Sequence, residues 1–194
     1  MSNPNWGNVR LLVVDCDGVL TDNTVYLDDF EHEQLRFNRA DGIGMWNLGM
    51  LGIGTLILTQ EQNDIIERRA KMLHVAYAVG GRAKLEKLRH WIADLATFDL
   101  MPPVPSITLP EVCYIGNERN DIPVLQTVGF PVVPADSLVF PQRAYITKAK
   151  GGWGCVREVC DLIEAAVGNP GGVQPKPPIE QPELIHTDSG WQPR

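Results

Sequence analysis

The chain has 194 residues, 44% of them hydrophobic and 21% charged, with a formal net charge of -7. That size suits one ordinary domain with a buried core and an appendage, and the acidic balance excludes a general nucleic-acid or anionic-membrane binder while leaving room for a local anion pocket. No apolar run nears 18 residues and no charged-then-apolar leader opens the chain, so a cytoplasmic protein with neither a membrane nor a nucleic-acid partner is expected.

In chain order, β-branched runs alternate with segments of helical spacing. Strands are expected at Val9–Val14, Gly54–Leu58, Val75–Val79, Val112–Ile115, Val132–Val133 and Tyr145–Thr147. The first, second and fourth are almost wholly apolar, as befits parallel strands covered on both faces. Helices are expected at Gly42–Met50, Asp64–Leu73, Ala83–Leu95, Ile122–Val128 and Cys155–Ala166. In the third helix Leu85, Leu88, Trp91, Ile92 and Leu95 fall on one face. The alternation implies an α/β, doubly wound, mainly parallel sheet with right-handed crossovers.

Two segments depart from this rhythm. Thr24–Asn38 alternates apolar and polar residues around "DDFE" and predicts a projecting β-hairpin. Residues 168–194 hold six prolines and four glycines and predict a flexible tail, leaving 1–167 as the single domain. Thr97–Glu111 reads as a long proline-rich loop. The cysteines Cys16, Cys113, Cys155 and Cys160 lie beside apolar segments without zinc-site spacing and read as reduced core thiols. Trp46, Trp91 and Trp153 read as packing residues. Gly151, Gly152 and Gly154 lack the arrangement of a dinucleotide loop and read as a flexible lead into the last helix.

Ligands of open α/β sheets bind beyond the carboxyl ends of the strands. Asp15 and Asp17 follow the first strand, Thr59 the second, and Asn117 to Asp121 the strand that begins at Val112. If those strands are neighbours, the three clusters share one crevice. Two carboxylates one residue apart repel unless a cation or a shared proton relieves them, and Gly18 permits a sharp turn there. Magnesium suits such oxygen donors together with a substrate phosphate. A bare Asp-x-Asp is equally a turn or capping pair.

The full string "DCDGVLTD" (Asp15–Asp22) resembles motif I of the haloacid dehalogenase superfamily of phosphohydrolases. Thr59 matches the motif II hydroxyl, Lys84 in "GGRAKLEKL" the motif III lysine and "GNERND" the motif IV acidic loop, in order over residues 9–167. The resemblance implies a Rossmann-like fold with Asp15 as nucleophile and Asp17 as proton donor to the leaving alcohol and activator of water. It implies phosphate and substrate binding by Thr59, Gln60, Glu61 and Lys84. Asp15, Asp17, Asn117 and Glu118 are the implied magnesium ligands, and Asp121 is the implied partner of Lys84.

The 43 residues between Asp15 and Thr59 are used by the hairpin and one helix, which leaves no room for a cap domain. The chain therefore resembles the capless 3-deoxy-D-manno-octulosonate 8-phosphate phosphatases and their nonulosonate 9-phosphate relatives. "RFNRADGIGMWNL", "ERRAKML" and "GGWGCVREVCDLI" agree with that subfamily. The resemblance implies homotetramers built through the hairpins, with Arg157 of a neighbouring subunit able to reach a sugar carboxylate; a salt bridge of Arg157 to Glu158 or Asp161 is the alternative. Thr59-Gln60-Glu61 in place of Thr-Gly-Arg, and Asn117-Glu118 in motif IV, resemble the nonulosonate branch and the phosphatase-like domain of some CMP-sialic acid synthetases. The expected substrate is a phosphorylated keto-deoxy sugar acid, nonulosonate 9-phosphate before octulosonate 8-phosphate. The alternative is a catalytically weak or inactive oligomerisation domain partnering a CMP-sugar-acid synthetase, because Asn117 brings no charge to a metal.

Overall fold

A computed structural model describes residues 4–60, 62–94, 107–168, 184–187 and 190–193. Six strands form one parallel sheet: β1 (Leu11–Val14), β4 (Gly54–Thr59), β5 (Ala76–Val79), β6 (Val112–Ile115), β7 (Phe130–Val133) and β8 (Tyr145–Ile146), in the order β5-β4-β1-β6-β7-β8. Burial of β1, β4 and β6 on both faces accounts for their unbroken apolar runs. Leu12 and Val14 pack with Met45, Leu48, Val156 and Ile163 on one face. Leu11 and Val13 pack with Leu88, Trp91, Val124 and Leu125 on the other.

The helices are α1 (Arg39–Met50), α2 (Asp64–Leu73), α3 (Lys84–Ala93), α4 (Ile122–Thr127) and α5 (Cys155–Val167). In α5 the buried Val156, Val159, Cys160 and Ile163 recur at three- and four-residue intervals, so a single stripe meets the sheet. Asn38 caps α1 by accepting the Ala40 N–H, and Asn63 caps α2 by accepting the Ile65 N–H at 2.8 Å. The four cysteines are buried free thiols, as expected. No helix of the described residues is long and apolar enough to cross a membrane.

The projecting hairpin is present as β2 (Thr21–Leu27) and β3 (Glu33–Phe37), and it starts three residues earlier than the alternation suggested. Thr21 is buried at its base and therefore breaks the polar side of the pattern. The connection from β1 to β4 carries only this hairpin and α1, and that from β4 to β5 carries only α2. Most of the Thr97–Glu111 loop and most of the tail lie outside the described residues. Two short tail strands, β9 (Leu184–Thr187) and β10 (Gly190–Pro193), pair with each other antiparallel, apart from the main sheet.

Two local readings are corrected. Gly151 and Gly152 are not a loose lead but a buried support. The Gly152 N–H donates to the Val19 carbonyl at 2.8 Å, and a side chain on Gly151 would strike the Gly18 carbonyl. Of Trp46, Trp91 and Trp153 only Trp91 is buried; Trp153 is exposed with the Arg36 guanidinium 4.0 Å from its ring centre. Arg36 also donates to the Gly152 carbonyl at 3.3 Å, which ties the hairpin to the glycine segment, and to Asp22 at 2.8 Å within the hairpin.

Gly154 offers α5 no capping side chain, so α1 supplies one: Asp41 Oδ1 accepts the Arg157 N–H at 2.7 Å. Asp41 is buried and its Oδ2 has no partner. Burial pushes its pKa from 3.8 up to about 6 against the opposing Arg157 N–H and the Arg69 and Arg157 charges. A raised carboxylate pKa means the folded state binds the proton more tightly. The resulting stability is full below pH 3.8 and is lost as pH rises through about 6. Asp41→Asn keeps an acceptor for Arg157 and is expected to gain on the wild type by on the order of 3 kcal/mol between about pH 4 and about pH 7.5. Calorimetric Tm measured across that range checks this, and a pH-independent difference refutes it.

Candidate functional site

The strand order reverses at β1: the chain leaves it toward β4 and β5, then returns to lay β6 on its other side. A crevice opens at the carboxyl ends of strands at such a point. The registers Val14↔Ile57 and Val14↔Ile115 bring the residues after β1, β4 and β6 level with one another. The Asp15 N–H donates to the Ile115 carbonyl at 2.9 Å, which fixes where the Asp15 side chain starts.

Asp15, Asp17, Asn23, Gln60, Asn117, Glu118 and Asn120 line a cavity of about 260 Å³ there. Asp15 is buried and accepts the Cys16 N–H at 2.8 Å. Gly18 turns the chain with φ +74°, and a side chain there would overlap the Asn117 amide, so the motif needs glycine for both backbone and space. Thr59 is buried at the end of β4. Its carbonyl accepts the Gly80 N–H at 2.8 Å and that of Gln60 the Gly81 N–H at 3.1 Å, which anchors the turn that starts α3.

That turn delivers Lys84, whose side chain is fully buried, beneath the cavity. Its ammonium lies 2.8 Å from Asp15 Oδ1 and 2.7 Å from Asp121 Oδ1. Asp121 is saturated further by Tyr114 Oη at 2.6 Å and by the N–H groups of Asn117 at 2.9 Å and Glu118 at 3.0 Å. Two buried carboxylates thus share one ammonium, leaving the group one negative charge in excess. Burial, then the Asp121 charge, raises the Asp15 pKa to about 7, with Lys84 pulling the other way. Burial alone would lower the Lys84 pKa, but the two carboxylates raise it, so the ammonium stays charged.

Asn117 Oδ1 is buried beside this excess charge and has no hydrogen-bond partner. An orphaned amide oxygen next to Asp15 and Asp17 is a donor set that fits a small hard cation. Among the described residues no three His, Cys, Asp or Glu side chains form a metal-binding group; Asn117 adds an amide oxygen beside the two acids. The Glu118 carboxylate accepts the Arg119 N–H at 2.7 Å, so its own turn already holds it.

Of the sequence-predicted residues, the fold assembles Asp15, Asp17, Gln60, Asn117 and Glu118 around the cavity, with Lys84 and Asp121 at its floor. Glu61 lies outside the described residues. Arg157 does not line the cavity; it sits on α5 and binds Asp161 at 2.6 Å within the chain. Sequence reasoning missed Asn23, Asn120 and Tyr114. Asn120 stood inside the quoted "GNERND", whereas Tyr114 in an apolar strand gave no signal of its hydroxyl's role. A larger open groove of about 590 Å³ between α1 and α2 includes Arg39 and Arg69 but no carboxylate, so it lacks this site's chemistry.

No family model matches the chain. It is 37% identical over 158 residues to the 3-deoxy-D-manno-octulosonate 8-phosphate phosphatase KdsC of Yersinia pestis, which covers 80% of each chain. The crystal structure of a Yersinia pestis 3-deoxy-D-manno-octulosonate 8-phosphate phosphatase superposes with TM-score 0.75 at 34% identity over 89% of each chain. That of the Moraxella catarrhalis phosphatase, solved in complex with a magnesium ion, a phosphate ion and a KDO molecule, does so with TM-score 0.74 at 29% identity over 85% of this chain and 91% of its own. The fold and site define a phosphatase of the haloacid dehalogenase superfamily. Within it, the chain belongs to the KdsC-like 3-deoxy-D-manno-octulosonate 8-phosphate phosphatase family.

Proposed function

We propose that this chain is a magnesium-dependent phosphomonoesterase that acts on a phosphorylated keto-deoxy sugar acid through an aspartyl-phosphate. The observation that carries the reading is the Asp15–Lys84–Asp121 array at the floor of a polar cavity. Asp15 is the nucleophile: its carboxylate oxygen attacks phosphorus while the ester oxygen leaves and takes a proton from Asp17. Asp17, now a carboxylate, removes a proton from water, whose oxygen attacks phosphorus, releases phosphate and frees Asp15. Lys84 and Thr59 hold phosphoryl oxygens, and Asp121 fixes the Lys84 ammonium for that purpose. Asp15, the Asp17 backbone carbonyl and Asn117 would hold magnesium, with Glu118 beside them; bound there, it would neutralise charge on the phosphoryl group.

The matched relatives are named for octulosonate 8-phosphate. Gln60-Glu61 after Thr59, and Asn117-Glu118 after Gly116, support nonulosonate 9-phosphate as the preferred ester. Residues 1–167 make up the catalytic domain, with 168–194 outside it. Val25, Tyr26, Leu27 and Phe30 expose large apolar side chains on the hairpin, which supports assembly of a homotetramer through it, with a neighbour's Arg157 turned to the sugar carboxylate. Asn117 favours a second reading, an inactive partner domain for a CMP-sugar-acid synthetase.

A phosphate-release screen over sugar phosphates, with and without magnesium, separates the two. Release is expected only with magnesium and fastest from nonulosonate 9-phosphate; silence on every ester across a magnesium titration leaves the partner reading. Asn117→Asp restores a charged ligand and is expected to lower the magnesium concentration at half-maximal rate about tenfold. An unchanged titration would remove Asn117 from the metal site.

A further inference from the structure

Asn120 lies in the motif IV turn with no assigned role, yet its side chain reaches across the cavity to the β4 loop. Its Nδ2 group donates to Gln60 Oε1 at 2.7 Å and so links these two loops through their side chains. Asn120 Oδ1 is buried without a partner. Turning the Asn120 amide alone would set two oxygens against each other, and turning both amides would bury an unpaired NH2 instead of an unpaired carbonyl. An under-satisfied carbonyl is the more tolerable of the two, which favours the arrangement in place. With Oε1 held, Nε2 is the end of Gln60 left to meet a ligand in the cavity that both residues line. A fixed N–H donor on the cavity wall is chemically complementary to the oxygens of a sugar-acid ester.

Resting on the phosphomonoesterase reading, we propose that Asn120 is a positioning residue that orients Gln60, and that Gln60 Nε2 donates to an oxygen of the sugar-acid portion of the ester, beyond the phosphoryl group. A contact to the leaving group acts on ground state and transition state alike, so its loss is read chiefly in KM.

A double-mutant cycle with Asn120→Ala, Gln60→Ala and both together tests this on the full chain with magnesium. The substrates are nonulosonate 9-phosphate and p-nitrophenyl phosphate, which has no hydroxyl or carboxylate. Each single variant is expected to lower kcat/KM for the sugar-acid ester about tenfold relative to that for p-nitrophenyl phosphate, mostly through KM. The double variant should lose no more than the worse single one, because Asn120 acts through Gln60. Additive losses, equal losses on both esters, or no loss would each overturn the proposal. If the wild type turns over neither ester, the proposed function falls, and calorimetric affinity for the sugar-acid phosphate replaces the rate in the same cycle. The same non-additive pattern then supports the inference; an additive pattern or absence of binding overturns it.

Discussion

Asp15→Asn is expected to reduce phosphate release by on the order of 10⁴-fold or more while leaving the chain folded. The amide retains an oxygen for the Cys16 N–H and nearly the same volume, but it has no charge with which to attack phosphorus. Lys84 keeps Asp121 at 2.7 Å, so its ammonium is not stranded. Stability should move the opposite way from activity. The pKa of Asp15 is raised to about 7 in the metal-free fold, so ionising it costs stability as pH rises through that value. The metal-free variant should therefore gain Tm on the wild type progressively from about pH 4 to about pH 7 and keep that gain above it. Mass spectrometry of quenched turnovers supplies the covalent check: a phosphoryl adduct on wild-type Asp15, absent from the variant. Residual turnover within about tenfold of wild type would assign the nucleophile elsewhere.

Lys84→Met should damage both catalysis and fold. It removes the single cation between two buried carboxylates, and breaking a buried pair from one side leaves uncompensated charge. Asp121 still has Tyr114 Oη and two N–H donors, so the loss belongs at the lower end of the usual range, about 3 kcal/mol. For a chain of this size that lowers Tm by roughly 6–12 °C. The rate should fall by on the order of 10²–10³-fold at temperatures where the variant is folded, because a fixed donor to the phosphoryl group is gone. The Asp15 pKa should rise further, since Lys84 is what opposes its burial, and the acidic limb of the rate profile should shift to higher pH. A fully active, fully stable methionine variant would contradict the electrostatic account of the site.

Much of this was legible in the chain itself. All six sheet strands and all five helices fall where periodicity set them, with α2 matching at both ends and β6 likewise. They do so because parallel strands buried on both faces must be apolar throughout, and a helix laid on a sheet must repeat its apolar stripe every three to four residues. Strand-end polar clusters also marked the site, since backbone polarity at the carboxyl ends of a sheet is where an α/β fold leaves a crevice.

What the sequence could not decide depends on through-space neighbours. Lys84 reads equally well as a solvated helix residue; only the crossover that brings the start of α3 to the ends of β1 and β6 buries it between Asp15 and Asp121. Gly151 and Gly152 read as loose linker because their close contacts lie more than 130 residues away, at Gly18 and Val19. Asp15 and Asp17 were first two crowded acids, explicable as a turn. Packing turned one of them into a buried carboxylate sharing its ammonium with a third acid, and left an orphaned Asn117 oxygen beside it. Burial and charge sum over everything within a few ångströms, so their effects on a pKa or a metal appear only once the chain has folded back upon itself.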